Sequence, residues 1–188
     1  AGLVKLFTLA PEQDAGASVT KSLAQQGVAV SAGHCDPTLD QLKAAIDNGL
    51  SMVTHFGNGC PIELPRHDNV LQRFLSLREH LWFCFIPDGA HVDFIALKNY
   101  LDLVGVSRSI MTTDAISAAK LGPGLHEISG ISVEVDEAGV ARRPGSPNLA
   151  GSTITMPGIR RNLSESLGLG EDEITSLVDL NPRAALAL

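Results

Sequence analysis

The sequence has little of what marks several classes of protein. None of its apolar runs approaches the ~18 uncharged residues of a membrane-spanning helix, so no membrane span is expected. Its three cysteines form no Cys-x-x-Cys pair and are odd in number, which favours reduced thiols and a cytoplasmic location over a disulfide framework. Its 14 basic residues are outnumbered by 21 acidic ones and form no patch beyond Arg142-Arg143 and Arg160-Arg161. Because neutralising phosphates needs clustered lysine and arginine, nucleic-acid binding is not expected.

What the sequence does have is a polar residue at the point where each of several apolar, strand-like runs stops. The runs 28–33, 51–54, 81–87 and 109–113 are followed by, respectively, His34, His55, the segment Asp88-Gly89-Ala90-His91, and Asp114. Strands that alternate with helices form a parallel sheet, and in a β/α barrel the carboxyl ends of the strands carry the active site. One histidine after a strand is usually structural, but the joint pattern predicts a metal-assisted hydrolase.

The periodicity predicts an α/β chain with about five βα units. Strands are expected at 3–9, 28–33, 51–54, 81–86 and 109–113, and helices near 17–26, 39–48, 70–77, 92–103, 153–167 and 171–177. Thr38 and Gln41 have capping-box spacing at the start of the second helix. Residues 56–69 lack periodicity and predict a long functional loop. The runs 128–135 and 139–142 predict a small β-hairpin inserted after the last strand.

Length is at odds with a complete barrel. The chain has 188 residues, whereas a (β/α)8 barrel usually needs ~250. The sequence is therefore interpreted as a single partial barrel over residues 1–188, taken from a longer protein.

Six short motifs together resemble a known family. They are Leu9-Ala10-Pro11-Glu12, Ser31-Ala32-Gly33-His34, Thr54-His55-Phe56-Gly57-Asn58, Asp88-Gly89-Ala90-His91, Thr113-Asp114-Ala115 and Leu149-Ala150-Gly151-Ser152-Thr153. In this order and spacing, the set resembles the C-terminal half of the N-acetylglucosamine-6-phosphate deacetylases, within the amidohydrolase superfamily. The resemblance extends through Asn181-Pro182-Arg183-Ala184 and covers nearly the whole chain.

The resemblance implies a fold and a function. The fold is the C-terminal part of a TIM-type (β/α)8 metal-dependent hydrolase barrel, whose upstream strands and flanking β domain are absent from this chain. The activity is hydrolysis of the N-acetyl group of N-acetylglucosamine-6-phosphate, giving glucosamine-6-phosphate and acetate in amino-sugar catabolism. The expected partners are this amino-sugar phosphate and a second copy of the protein in a homodimer.

The resemblance also assigns roles to individual residues. His34 and His55 match ligands of a divalent metal, expected to be zinc with one or two ions left open, and Asp114 matches the catalytic aspartate. The third ligand is expected upstream of Ala1, while Glu12 matches a non-ligand position. Arg66 matches an arginine that binds the sugar phosphate in the partner subunit's site. The substrate-binding set is Asn58, Gly59, Arg66, Asp88, Gly89, Ala90, His91, Leu149, Ala150 and Gly151.

These residue types also suit the chemistry. An amide is a poor electrophile, so a cation must polarise its carbonyl and lower the pKa of a water molecule. Neutral imidazoles suit a borderline metal such as zinc. A carboxylate such as Asp114 can take a proton from the water and give one to the leaving amine. Arg66 offers the fork of N–H donors that a phosphate accepts.

Two alternatives remain open at this stage. Another amidohydrolase, acting on a cyclic amide or an N-acyl amino acid, would share the barrel and the metal without needing a phosphate contact at Arg66. A non-catalytic truncated paralogue is favoured only by the missing upstream strands, which would leave open sheet edges.

Overall fold

A five-stranded parallel sheet organises the chain. The computed structural model describes residues 2–188, so Ala1, the first residue of the predicted domain, lies outside them. The strands are β1 (Leu6–Leu9), β2 (Ala29–Ala32), β3 (Leu50–Val53), β4 (Trp82–Phe85) and β5 (Ser109–Met111). Each pairs in parallel with the next along the chain, in the order β1-β2-β3-β4-β5. The predicted α/β class with a parallel sheet is confirmed.

Helices connect the strands close to the predicted positions. They are α1 (Ser18–Gln25), α2 (Leu39–Asp47), α3 (Val70–Ser76), α4 (Phe94–Val104), α5 (Met156–Glu165), α6 (Glu171–Thr175) and α7 (Asn181–Leu186). The predicted capping box begins α2, where the Thr38 side chain accepts from the Gln41 N–H and the Gln41 side chain accepts from the Thr38 N–H. A single π-helical turn, Ser176–Leu180, joins α6 to α7. No helix within residues 2–188 is long and apolar enough to cross a membrane.

The main core lies between one face of the sheet and the helices. Alternate strand residues point to this face, because side chains in a strand have a period of two. Val30 and Ala32 in β2, and Phe83 and Phe85 in β4, are fully buried there. The helices contribute mainly leucine, isoleucine and phenylalanine: Leu42, Phe74, Leu97, Leu101, Ile159, Leu163 and Ile174. This packing holds the strands rigidly, so the residues at their carboxyl ends have defined positions.

A second, antiparallel sheet follows β5. It consists of β6 (Gly124–Ile128), β7 (Ile131–Val135) and β8 (Ala141–Arg142). The predicted hairpin is β7 and β8, with its turn at residues 136–140. The predicted start at residue 128 was wrong, because a separate strand, β6, pairs with β7 from Gly124 onwards.

Candidate active site at the carboxyl edge of the sheet

His34 and His55 meet at the ends of neighbouring strands. His34 follows β2 and His55 follows β3, and their Nε2 atoms lie 2.9 Å apart. The rings are edge to face, with centroids 4.6 Å apart and an interplanar angle of 83°. Two imidazole nitrogens that point at each other at this distance can either share one proton or direct both lone pairs at a cation. The structure therefore brings together the two residues predicted as metal ligands.

The environment of His55 favours its neutral form. His55 is buried, whereas His34 is exposed. Burial, and then the proximity of His34, lowers the pKa of His55 below its usual value, although the negative charge of Asp114 acts in the opposite direction. The Nδ1 atom of His55 is enclosed and has no hydrogen-bond partner within residues 2–188. Since only a neutral imidazole has a free lone pair, this environment suits a metal ligand.

The loop between β3 and α3 packs directly on these two rings. The Asn58 N–H donates to the carbonyl of His55 over 2.9 Å. Gly59 follows with φ +66°, and a Cβ atom there would lie 2.7 Å from Cε1 of His55 and 3.1 Å from Nδ1 of His34. Position 59 therefore accepts only glycine without displacing a ring. A cavity of ≈ 450 Å³ opens at this point, lined by Glu12, His34, Cys35, Asp36, Gly59, Cys60 and Pro61.

Asp114 lies three residues after β5 and is hydrogen-bonded to a segment that contains predicted substrate-binding residues. Its side chain is exposed, and its carbonyl accepts a hydrogen bond from the Ser152 N–H over 3.2 Å. Ala115 and Ser152 form a parallel bridge, which ties the segment Leu149-Ala150-Gly151 to the end of this strand. At Gly151, φ is +100° and a Cβ atom would lie 2.4 Å from Cγ2 of Ile116. Asp114 and the predicted loop are therefore neighbours.

The segment after β4 forms a compact turn around the Asp88 carboxylate. Its Oδ1 atom accepts from the N–H groups of Ala90 and His91, and Oδ2 lies 2.6 Å from Nδ1 of His91. Burial alone would raise the pKa of Asp88, but the hydrogen bonds from His91 and from the two backbone N–H groups lower it overall. Gly89 makes the turn with φ +78°, and a Cβ atom there would lie 2.8 Å from Cε2 of Phe94.

Within residues 2–188, the Arg66 side chain makes no hydrogen bond or ion pair with the other predicted site residues. It is exposed in the 56–69 loop, and within residues 2–188 it forms no ion pair. Its predicted contact with a sugar phosphate in a partner subunit therefore stays a prediction.

The residues present fit part of a metal site. Across the described range 2–188, no group of three or more His, Cys, Asp or Glu side chains is arranged to hold a metal ion. Two converging imidazole nitrogens, one of them on a buried ring, supply two of the three protein ligands that a catalytic zinc usually has. The third ligand predicted upstream of Ala1 lies outside the described residues.

Glu12 and Arg73 both contact Asp36 near the site, and the sequence did not predict either contact. Glu12, predicted not to be a ligand, accepts the Asp36 N–H at Oε1 over 2.9 Å, while its enclosed Oε2 has no partner within residues 2–188. Arg73 binds Asp36 through Nη1 and Asp68 through Nε, at 3.0 and 2.7 Å. Arg73 lies 37 residues from Asp36, and no spacing rule links positions that far apart.

The three cysteines are free thiols. Burial raises the pKa of Cys35 and of Cys84 to about 12, and it also raises the pKa of Cys60. Since the thiolate is the nucleophile, the raised pKa favours a packing role for Cys35, which is next to His34, over a nucleophilic one.

A parallel α/β sheet whose carboxyl edge gathers histidine and aspartate side chains is the arrangement found in hydrolases of the β/α-barrel type. Comparison with known proteins gives a more particular result, although no family model matches the sequence. The chain is 32% identical over 185 residues to N-acetylglucosamine-6-phosphate deacetylase of Lysinibacillus sphaericus, covering 98% of this chain and 47% of that protein. It is 30% identical over 185 residues to N-acetylgalactosamine-6-phosphate deacetylase of Escherichia coli O157:H7, covering 98% of this chain and 48% of that protein.

Solved structures agree with the sequence relatives. A mutant N-acetyl-D-glucosamine-6-phosphate deacetylase from Mycobacterium smegmatis, in complex with N-acetyl-D-glucosamine-6-phosphate, superposes with a TM-score of 0.88 at 31% identity. The match covers 98% of this chain and 49% of that chain. This chain thus spans about half the length of the relatives it matches. The predicted resemblance to the N-acetylglucosamine-6-phosphate deacetylases is confirmed.

Proposed function

We propose that the protein containing this chain hydrolyses the N-acetyl group of N-acetylglucosamine-6-phosphate, giving glucosamine-6-phosphate and acetate. The observation that carries the proposal is the meeting of His34 and His55, Nε2 to Nε2, at the carboxyl edge of a sheet that superposes on deacetylases of this name. We propose the same roles as the resemblance implies, with His34 and His55 as metal ligands and Asp114 as the catalytic residue.

Each residue has a task that its position supports. A divalent metal, with zinc proposed, would be held by His34 and His55 and would polarise the amide carbonyl and activate water. The exposed Asp114 carboxylate accepts a proton from the attacking water and returns one to the leaving amine. The loop Leu149-Ala150-Gly151, anchored beside Asp114, covers the sugar.

The proposed fold is the C-terminal part of a β/α barrel, in a domain that continues beyond residues 1–188. The sequential parallel order of the five strands supports it, as does coverage of about half of each relative. The exposure of β1 also supports a longer barrel, because its apolar residues Leu6 and Phe7 are 42% and 44% exposed. Apolar side chains on a barrel strand are normally covered, on one face by the packed barrel interior and on the other by the outer helices.

The proposal also includes an oligomeric state and a cellular location. A homodimer is proposed because Arg66 projects from an exposed loop, where it can reach a second subunit. A cytoplasmic location is proposed because all three cysteines are free.

The test is an assay of acetate release by the full-length protein with N-acetylglucosamine-6-phosphate and added zinc. We expect turnover that a chelator abolishes and that falls by more than about 100-fold in His55→Ala, because losing a ligand should exceed the cost of losing a group that only orients one. Wild-type turnover no higher than that of His55→Ala would overturn the proposal.

A second sugar is favoured by one specific observation, the similarity to an N-acetylgalactosamine-6-phosphate deacetylase at 30% identity. The two sugars differ only in the configuration of one hydroxyl group, so the same assay run on both epimers decides between them by the ratio of kcat/KM. Unphosphorylated N-acetylglucosamine is the third substrate. If Arg66→Ala leaves the preference for the phosphorylated sugar unchanged, a related amidohydrolase without a phosphate contact becomes the better description.

A further inference from the structure

The turn after β4 uses both oxygens of Asp88 inside the protein. Oδ1 accepts the N–H groups of Ala90 and His91 at 2.9 and 2.8 Å, and Oδ2 pairs with Nδ1 of His91 at 2.6 Å. The two side chains are nearly enclosed, with 3% of His91 and 13% of Asp88 exposed. A carboxylate that already accepts three hydrogen bonds has little capacity left for a substrate hydroxyl or phosphate.

The same pairing determines how the His91 ring is presented. An imidazole whose Nδ1–H donates to a carboxylate is held in one tautomer and one orientation, so its chemistry is confined to Nε2. Nε2 of His91 has no hydrogen-bond partner within residues 2–188. Strand β4, which precedes this turn, lies between β3, which precedes His55, and β5, which precedes Asp114. The turn that contains His91 therefore follows the strand between those two, at the carboxyl edge of the sheet.

We propose that Asp88 is a positioning residue that acts through His91, by holding the ring of this predicted substrate-binding residue with Nε2 as its free nitrogen. The proposal rests on the proposed function and deepens it, because it divides the substrate-binding segment Asp88-Gly89-Ala90-His91 into distinct parts. Asp88 orients the ring, Gly89 provides the left-handed turn against Phe94, and His91 is the predicted substrate contact.

Asp88→Asn separates the role of Asp88 in the turn from its role in orienting the His91 ring. The amide retains an oxygen to accept the N–H groups of Ala90 and His91, so the turn has the means to persist. The carboxylate that pairs with Nδ1 of His91 is lost, and the amide nitrogen can donate to Nδ1 instead, which reverses the tautomer. Asp93→Asn is the matched control, because Asp93 lies two residues from His91 and its carboxylate caps α4 by accepting the Ile95 N–H.

The first measurement needs no substrate. Full-length protein labelled with ¹⁵N in its histidine rings gives one pair of ring-nitrogen signals per histidine, and His91→Gln assigns the pair that belongs to His91. We expect a protonated Nδ1 signal for His91 in the wild type and in Asp93→Asn, and a shifted signal in Asp88→Asn. An unchanged His91 signal in a folded Asp88→Asn protein would overturn the positioning role.

The second measurement is a double-mutant cycle on kcat/KM for N-acetylglucosamine-6-phosphate. We expect Asp88→Asn to lower kcat/KM by about 10- to 100-fold, as for other partners that orient a functional histidine. If Asp88 acts only through His91, the double variant is no worse than His91→Gln alone. Losses that multiply would mean that Asp88 acts on the substrate directly, and the proposal would fail.

The two measurements distinguish this proposal from the proposed function. A wild-type protein without turnover, but with a His91 signal that depends on Asp88, would overturn the deacetylase function and leave the ring positioning intact. An active protein in which the kcat/KM losses of Asp88→Asn and His91→Gln multiply would support the deacetylase function and overturn the positioning role of Asp88.

Discussion

Three of the predicted site residues adopt a backbone conformation that side-chain-bearing residues rarely use. His34, His55 and Asp114 have φ values of +50°, +32° and +45°. Each stands two or three residues after the end of a strand, where the chain turns away from the sheet. A left-handed conformation at a residue other than glycine costs on the order of 1 kcal/mol or more, and such residues cluster at functional sites. The strained geometry at all three strand ends is an independent reason to place the site there.

At the residue scale, Gly59→Ala tests how closely the 56–69 loop supports the two histidines. A Cβ atom would lie 2.7 Å from Cε1 of His55 and 3.1 Å from Nδ1 of His34, so at least one ring must move. We expect zinc affinity to fall by about 10- to 100-fold, by analogy with the loss of other groups that orient metal ligands. The measurement is a competition titration with a chromogenic chelator.

Gly16→Ala is the matched control for this experiment. Gly16 has the same φ of +66°, but a Cβ atom there would have nothing within 4 Å. It therefore carries the backbone cost of a left-handed alanine without any contact with the site. Equal zinc affinities for the two variants would contradict the proposed contact.

At the scale of elements, Arg73 in α3 joins two segments that carry site residues. Nη1 binds the Asp36 carboxylate and the Pro37 carbonyl, both at 3.0 Å, and Nε binds Asp68 at 2.7 Å. Asp36 lies two residues after His34, and Asp68 lies near the end of the loop that contains Gly59. The guanidinium thus connects the segment after β2 to the loop after β3.

Arg73→Gln is expected to release the loop without unfolding the protein. Because glutamine is shorter and uncharged, it cannot reach Asp36, Pro37 and Asp68 together. We expect faster amide hydrogen exchange at residues 57–69, with unchanged exchange in β3 and β4. Arg78→Gln is the control, since Arg78 is exposed and its ion pair with Glu79 at 3.6 Å involves only a neighbour in sequence. Unchanged exchange in the Arg73→Gln loop would contradict this role.

The antiparallel sheet illustrates why one element was misjudged from the sequence. In strand β6 the sequence Gly124-Leu125-His126-Glu127-Ile128 does not alternate apolar and polar types, and none of these residues is fully buried. Its place in the structure comes from pairing with β7, from Gly124 opposite Val135 to Ile128 opposite Ile131. Backbone pairing of this kind leaves no mark on side-chain periodicity.

At the scale of the whole molecule, aspartates make stability depend on pH. The folded protein lowers the pKa of Asp14, Asp68, Asp88 and Asp136, chiefly through hydrogen bonds to their carboxylates. For Asp14, burial acts in the opposite direction but is outweighed by bonds from Thr20, Val19 and Ser18. A carboxyl group with a lowered folded pKa stabilises the protein above its unfolded pKa of about 3.9, and this contribution disappears as the pH falls through the folded value.

The free energy of unfolding, measured with urea, is therefore expected to fall as the pH is lowered from 5 to 3. Asp14→Asn removes one of the responsible groups, and it should be less stable than the wild type at pH 6. The difference between the two proteins should shrink towards pH 3, because below about 3.9 the carboxyl group of the unfolded wild type takes up a proton before that of the folded protein does. A difference of the same size at both pH values would contradict the assignment.

The sequence by itself determined the α/β class, nearly every helix and strand of the parallel sheet, and which residues follow the strands. These features follow from local causes: hydrophobic periods of two and 3.6 residues, the Thr38–Gln41 capping box, and the requirement that parallel strands end at one edge. His34 and His55 could therefore be predicted as neighbours, although 21 residues separate them.

Only the tertiary structure decided how these residues are held. The pairing of Asp88 with His91, the contact of Gly59 with two rings, and the bonds from Arg73 and Glu12 to Asp36 depend on distances between side chains on different elements or across a turn. Hydrogen bonds and packing act over a few ångströms, and residues far apart in sequence reach that separation only after the core between the sheet and the helices has formed.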